Sequence, residues 1–340
     1  MIVTVTLNPA LDLTYAVDAL VPHGTHRVVT VAERPGGKGL NVARVLQALG
    51  EPVLATGLLG GATGDRVAGL LADEGVRSSF VRIAGETRRT VAVVDRGDAT
   101  GFWEPGPRVT GAEWSLFLAE FRELLGPATV VALSGSLPPG VPIDGYASLI
   151  ALATAAGVPT VLDTSGPALR AGLRATPSIA KPNADELAAL LPAFAPPSSA
   201  PPSSAPPSSA PGDGAGPRGG RRAGPLRLAD AVRSLAAGPV VVSRGAAGLL
   251  AVDGEHVWEC VPPEPIDGNP TGAGDACVAA LARGLRDHTP WPGLLADAVA
   301  LSAAAVAAPV AGAFDPGVYR RVRAAVATSS AGGSRVRTHR

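Results

Sequence analysis

Short apolar runs alternate with stretches of helical periodicity along most of this 340-residue chain, and that rhythm restricts the fold more than any other feature. The runs fall at 2–7, 53–57, 129–133, 159–162 and 239–243 and are rich in Val, Leu and Thr. Helical spacing marks 38–49, with Val42, Val45, Leu46 and Leu49 on one face. It also marks 113–125, through Trp114, Phe117, Leu118, Phe121 and Leu125. Further helical patterns occupy 142–156, 183–191, 226–236, 274–286 and 291–308. Strands that are apolar on both faces and separated by helices pair in parallel through crossovers. The expectation is therefore an α/β fold with a mainly parallel central sheet flanked by helices.

Four segments depart from the rhythm. Residues 13–33 and 87–104 read as paired, half-exposed strands without helices between them. They predict a small antiparallel sheet, a natural lid or dimer surface over the carboxyl edge of the parallel strands. Residues 195–225 open with a repeated Pro-Pro-Ser-Ser-Ala unit and continue Gly- and Arg-rich. Such composition buries no core, so it reads as a disordered insertion in one domain spanning 1–325. The segment 329–340 reads as a disordered tail.

Composition excludes several classes. The net charge of +0 supplies no attraction to nucleic acid or an anionic membrane surface. The apolar run from Ala298 to Phe314 contains Pro309 and is shorter than the ~20 residues a membrane span requires, so a buried helix is expected. The N-terminus alternates like a strand and lacks a signal-peptide pattern. Two cysteines, Cys260 and Cys277, make no disulfide framework, which points to the cytoplasm; Cys277 reads as a small buried hydrophobe. The five histidines show no zinc-ligand spacing. Among 29 basic residues only Lys38 and Lys181 are lysines, and both sit in compact motifs. Lysine is a compact point charge, unlike the flat arginine fork.

The most chemically suggestive stretch is Asn269-Pro270-Thr271-Gly272-Ala273-Gly274-Asp275-Ala276, which opens a helix. It admits two readings. One is a glycine-rich turn capped by Asp275. The other is an anion hole at a helix N-terminus, with Asp275 placed to take a proton from an attacking hydroxyl. Thr6-Leu7-Asn8-Pro9-Ala10-Leu11-Asp12 follows the first strand, where ligand sites of parallel sheets lie. Gly36-Gly37-Lys38-Gly39-Leu40-Asn41 opens an amphipathic helix but lacks the Walker A spacing. Leu133-Ser134-Gly135-Ser136-Leu137-Pro138-Pro139-Gly140 offers two hydroxyls on a turn. In Lys181-Pro182-Asn183-Ala184-Asp185-Glu186, Asn183 and Glu186 suit a capping box or, alternatively, a Mg²⁺ and phosphate site.

Together these motifs resemble the ribokinase-like (PfkB) family of carbohydrate kinases from Met1 to about residue 325, apart from the insertion. The two family patterns are Gly36-Gly37-Lys38-Gly39-Leu40-Asn41-Val42-Ala43-Arg44 and Gly272-Ala273-Gly274-Asp275. The runs Thr6–Asp12, Gly85-Glu86-Thr87-Arg88 and Leu133–Pro138 resemble its phosphosugar branch, which contains 1-phosphofructokinase and tagatose-6-phosphate kinase. The resemblance implies a ribokinase-like fold with a small β-sheet lid, ATP and Mg²⁺ as cofactors, and a homodimer through the lid. By the same resemblance Asp12, Gly37, Lys38 and Asn41 contact the phosphosugar. Arg88 and Ser136 hold its phosphate, assisted by Arg27. Lys181, Asn183, Ser243, Gly245 and Gly248 belong to the ATP side, with Glu186 near Mg²⁺ through water. Gly272, Ala273 and Gly274 form the anion hole and Asp275 is the catalytic base. Pro270 departs from the family, whose relatives more often carry Thr or Ser there, and removes a donor and a hydroxyl. The implied reaction is ATP-dependent phosphorylation of the 6-hydroxyl of fructose 1-phosphate. Tagatose 6-phosphate and fructose 6-phosphate are alternative acceptors, and a non-catalytic sugar-phosphate sensor is the alternative of a different class.

Overall fold

The computed structural model describes residues 1–96, 99–191 and 224–330. The insertion expected at 195–225 lies outside the described residues except for Gly224 and Pro225, as does the tail beyond Ser330.

The large sheet is built from β1 (Ile2–Thr6), β4 (Val53–Gly60), β5 (Ser78–Ile83), β8 (Val130–Ser134), β9 (Thr160–Asp163), β10 (Ile179–Ala180) and β11 (Val240–Ser243), followed by β12 (Leu249–Asp253), β13 (His256–Cys260) and β14 (Thr328–Ser330). Its order is β14-β13-β12-β11-β10-β9-β8-β1-β4-β5. From β5 to β11 every pairing is parallel. The other edge, β12 to β14, is antiparallel. Ser329 and Ser330, expected in a disordered tail, instead pair with Glu259 and Trp258, because the exposed edge of β13 offers them a backbone ladder.

Apolar residues on the parallel strands face two cores alternately, as the period of two requires. Ile2, Val130 and Ala132 pack under α1 (Lys38–Ala48), α2 (Gly61–Asp73), α8 (Ala273–Arg286) and α9 (Trp291–Val306). Val3, Val5, Val131 and Leu133 pack under α3 (Gly111–Leu125), α4 (Gly145–Ala155), α5 (Gly166–Arg174), α6 (Ala184–Leu190) and α7 (Pro225–Leu235). A last helix, α10 (Pro316–Ala325), packs on α9. Among the described residues no helix is long and apolar enough to cross a membrane.

A separate four-stranded sheet has the order β3-β2-β6-β7, with β2 at Ala10–Ala16, β3 at Thr30–Gly36, β6 at Arg88–Val94 and β7 at Ala99–Trp103. Its outer pairings are antiparallel, and its central seam, β2 to β6, is parallel. The seam has a simple cause. β2 continues from β1 and β6 from β5, and those two strands run the same way in the large sheet.

Candidate active site

The parallel strands end in a row, and the residues at their carboxyl ends wall one cavity of about 600 Å³. Sheet order sets the sequence of side chains along it. Ser243 ends β11, Lys181 and Asn183 follow β10, Asp163 ends β9, Ser136 follows β8, and Thr6 ends β1 with Asn8 just beyond it. The N-termini of α1 and α8 bring Gly37, Lys38, Asn41, Gly272, Gly274 and Asp275 to the same space. The small sheet contributes Asp12, Arg88, Thr90 and Trp103.

The floor carries buried charge. Asp275 accepts a hydrogen bond from Asn41 Nδ2 at 2.8 Å, joining α8 to α1. Burial pushes its carboxyl up to about 7, and the nearby Asp163 carboxylate adds to this; the Asn41 bond, Lys38 and Lys181 oppose it. A carboxylate with such a value is poised to accept a proton near neutral pH. Asp163, which the sequence reading did not single out, is the meeting point of the two lysines of the chain. Its Oδ1 lies 3.2 Å from Lys38 Nζ and 3.4 Å from Lys181 Nζ. Its Oδ2 is buried without a protein partner. Burial acts to lower the Lys181 pKa, yet Asp163, Cys277, Glu186 and Asp275 outweigh it and hold the ammonium above its ordinary value.

The loop before α8 is shaped by its own backbone. Gly272 is the N-cap and adopts φ 89°, a left-handed conformation that favours glycine. A Cβ there would lie 3.0 Å from the Ala311 Cα. Arg44 secures that backing turn, donating to Ala311 O at 2.9 Å while paired with Glu74 at 2.6 Å. The Thr271 amide donates to Asn269 Oδ1 and the Ala273 amide to Pro270 O, so Pro270 lends the loop a carbonyl. Ala273 is accordingly engaged inside the turn and does not line the cavity, whereas Gly272 and Gly274 do. The first-turn amides that follow have no preceding helical turn to bond.

At the small-sheet end, Asp12 accepts from Thr90 Oγ1, and burial raises its carboxyl despite that bond and the charges of Arg88 and Arg44. Gly36 is required beside it, since a Cβ there would overlap the carboxylate. Arg88 donates through Nε to Asn8 O and through Nη1 to Glu104 O, both at 3.1 Å. Burial lowers its pKa, and Asp12 and Glu104 counter this. Arg27 is exposed in the connection between β2 and β3 and is not among the cavity-lining residues.

At the opposite end, Asn183 and Glu186 form the reciprocal capping box of α6, with bonds of 2.7 and 2.8 Å. The second Glu186 oxygen lies 3.9 Å from Lys38 Nζ. Ser243 and Asn183 share a β-bridge and line the cavity. Gly245 and Gly248 shape the 3₁₀ turn beyond β11 and lie outside the lining. Arg244 folds back from that turn onto Glu259 at 2.7 Å.

A family model described as pfkB family carbohydrate kinase matches residues 5–316. The chain belongs to the pfkB family of carbohydrate kinases. Solved structures agree. Phosphofructokinase-2 from Escherichia coli is 30% identical over 95% of this chain and 98% of its own, with a TM-score of 0.80. A putative phosphofructokinase from Staphylococcus aureus is 25% identical over 98% and 100%, with a TM-score of 0.76. A possible 1-phosphofructokinase from Thermotoga maritima is 25% identical over 97% and 99%, with a TM-score of 0.74. The ribokinase-like fold expected from sequence is therefore present, and the chain is a phosphotransferase of the pfkB family. Both pfkB patterns converge on the cavity, and the Asn41–Asp275 bond ties them together. Beyond those patterns, sequence reasoning missed Asp163, Thr164, Ser165, Thr90 and Trp103, and it quoted Thr6 and Asn8 within a motif without giving them a role. The rule that drew attention to Asp12, a carboxylate just past a strand end, applies equally to Asp163.

Proposed function

We propose that this pfkB kinase transfers the γ-phosphoryl group of ATP to the 6-hydroxyl of fructose 1-phosphate. The observation that carries the reading is the polarity of the cavity along the sheet. Ser243 and Asn183 stand at one end, Arg88 and Ser136 at the other, and Asp275 between them with its carboxyl held near neutrality. A sugar whose phosphate pairs with the Arg88 fork directs its far hydroxyl toward the middle of the cavity. Asp275 takes the hydroxyl proton as the oxygen attacks, while the α8 N-terminus and Lys181 offset charge on the transferring group.

Mg²⁺ supplies charge neutralisation on the phosphates when bound. Glu186 and the unpartnered Asp163 Oδ2 fit a hard cation that otherwise takes phosphate and water oxygens. Asp12, Gly37, Lys38 and Asn41 bind sugar hydroxyls in this reading. Fructose 6-phosphate is the second acceptor considered, because the 30%-identical Escherichia coli phosphofructokinase-2 has been solved in complex with fructose-6-phosphate. We further propose a homodimer contact at the small sheet, where Val31 on β3 and Phe102 on β7 are exposed and Val28 and Val29 are exposed in the connection leading into β3. Arg27 lies in the same region and belongs to the phosphosugar site only if that contact brings it there.

The deciding experiment is an ADP-release assay of purified protein with fructose 1-phosphate, fructose 6-phosphate, tagatose 6-phosphate and the unphosphorylated sugars. The highest kcat/KM is expected on fructose 1-phosphate. No turnover on any phosphosugar would overturn the proposal.

A further inference from the structure

We propose that Asn8 is the positioning residue that fixes Ser136 as a hydrogen-bond donor to the acceptor's phosphate and ties it to Arg88. This inference rests on the phosphosugar reading above. Asn8 occupies the turn between β1 and β2 and is 5% exposed. Its Nδ2 lies 3.0 Å from Pro105 O and 3.1 Å from Ser136 Oγ. A carbonyl oxygen only accepts, so the nitrogen of the amide must face Pro105, and its other hydrogen points to Ser136. Ser136 Oγ is thereby an acceptor toward Asn8, and its own hydrogen is left for a partner in the cavity. Phosphate oxygens at neutral pH are acceptors, so this polarity suits a phosphate and disfavours a competing donor.

The same residue governs two further contacts. Its backbone carbonyl receives Arg88 Nε at 3.1 Å, which fixes the guanidinium. Its bonds to Pro105 and Ser136 together fasten the chain leaving β7 to the turn after β8, so the small sheet and the large sheet meet at one amide. Gly106 leaves room for it, since a Cβ at that position would come within 2.2 Å of Asn8 Oδ1. That oxygen is buried without a protein partner, so nothing on that side competes for the orientation.

The test is a double-mutant cycle on phosphosugar turnover, with Arg88→Ala as a reference. Asn8→Ala is expected to raise the phosphosugar KM on the order of tenfold, leaving the ATP KM unchanged. Asn8→Ala/Ser136→Ala is expected to exceed Ser136→Ala by far less than the product of the two single effects, because the amide acts on the phosphate through that hydroxyl. Gly106→Ala, which displaces the amide while retaining Asn8, is expected to show the same selective rise and serves if Asn8→Ala does not fold. Multiplicative effects in the cycle, or an unchanged phosphosugar KM in Asn8→Ala and Gly106→Ala, would overturn the role of Asn8 alone. If Arg88→Ala and Ser136→Ala also leave that KM unchanged, the phosphate-subsite reading fails and this inference with it.

Discussion

The floor of the cavity and its small-sheet wall are built on opposite plans. On the floor, Asp275, Asp163 and Lys181 are buried on helix and strand ends, and their contacts span the sequence: Asn41 meets Asp275 and Lys38 meets Asp163. On the wall, every residue of β7 is exposed, and Trp103 is 76% exposed although it lines the cavity. Proton transfer needs groups held in place with perturbed acidity, and only burial between packed helices supplies both. In the proposed reading the sugar is gripped and released by the small sheet, whose fully exposed β7 carries few packing constraints. The two plans meet in Asn8 and Asp12, at the joint between the sheets.

The largest effect is expected from Asp275→Asn. If the floor alone carries the chemistry, turnover falls on the order of 10²–10⁴-fold with phosphosugar binding retained, as calorimetric titration would show. Its acidity can be read in two ways. Wild-type kcat/KM should fall as pH drops below about 7, where the base becomes protonated. Stability has the opposite sign. The folded value lies above the ordinary 3.8, so the folded chain binds this proton more tightly than the unfolded chain. Stability is therefore lost as pH rises from about 4 to about 7. Asp275→Asn should have a higher Tm than wild type at pH 8, and the difference should close below about pH 4.

Asp163→Asn tests whether the floor is an electrostatic unit. It leaves Lys181 short of its nearest buried counter-charge, and urea unfolding should show a loss of about 3–5 kcal/mol. It also removes a carboxylate that raises Asp275, so the acid limb of the pH–rate profile should move to lower pH. On the wall, Arg88→Ala should raise the phosphosugar KM roughly 10- to 100-fold with the ATP KM unchanged. A rise in the ATP KM instead would dissolve the division of labour between the two ends. The smallest effect is expected from Val29→Asp, in the exposed connection leading into β3. Sedimentation should show dissociation to monomers, with monomer stability changed by no more than ~0.5 kcal/mol. An unchanged sedimentation coefficient would remove the small sheet as the contact between copies.

The fold was legible wherever local pattern and tertiary role agree. Five of the seven parallel strands are legible because their residues are apolar toward both cores, whereas β5 is half exposed and β10 only two residues long; α3 is legible because Trp114, Phe117, Phe121 and Leu125 repeat at helical spacing. The α2 helix escaped notice because its buried side consists of Thr63, Gly64, Val67 and Leu71, too sparse a stripe to register. The β12–β13 hairpin carries a local signal at Asp253-Gly254, one that marks a hairpin and not a crossover unit. The parallel seam in the small sheet had no local signature, since direction follows from which large-sheet strands precede it. Pro270 reads locally as a lost donor, whereas in the folded loop its carbonyl receives the Ala273 amide.

By itself the sequence determined the strand–helix rhythm and the two glycine-rich helix starts. It also confined lysine to two positions, because propensity, backbone freedom and composition are properties of short segments. The tertiary structure alone decided that both lysines converge on Asp163, that Asp275 is held near neutrality, and that Arg27, Ala273, Gly245 and Gly248 stand off the cavity wall. Those outcomes depend on burial and on distances between residues that include Lys38 and Asp163, more than a hundred positions apart. Strand order fixes both, and no local pattern encodes it.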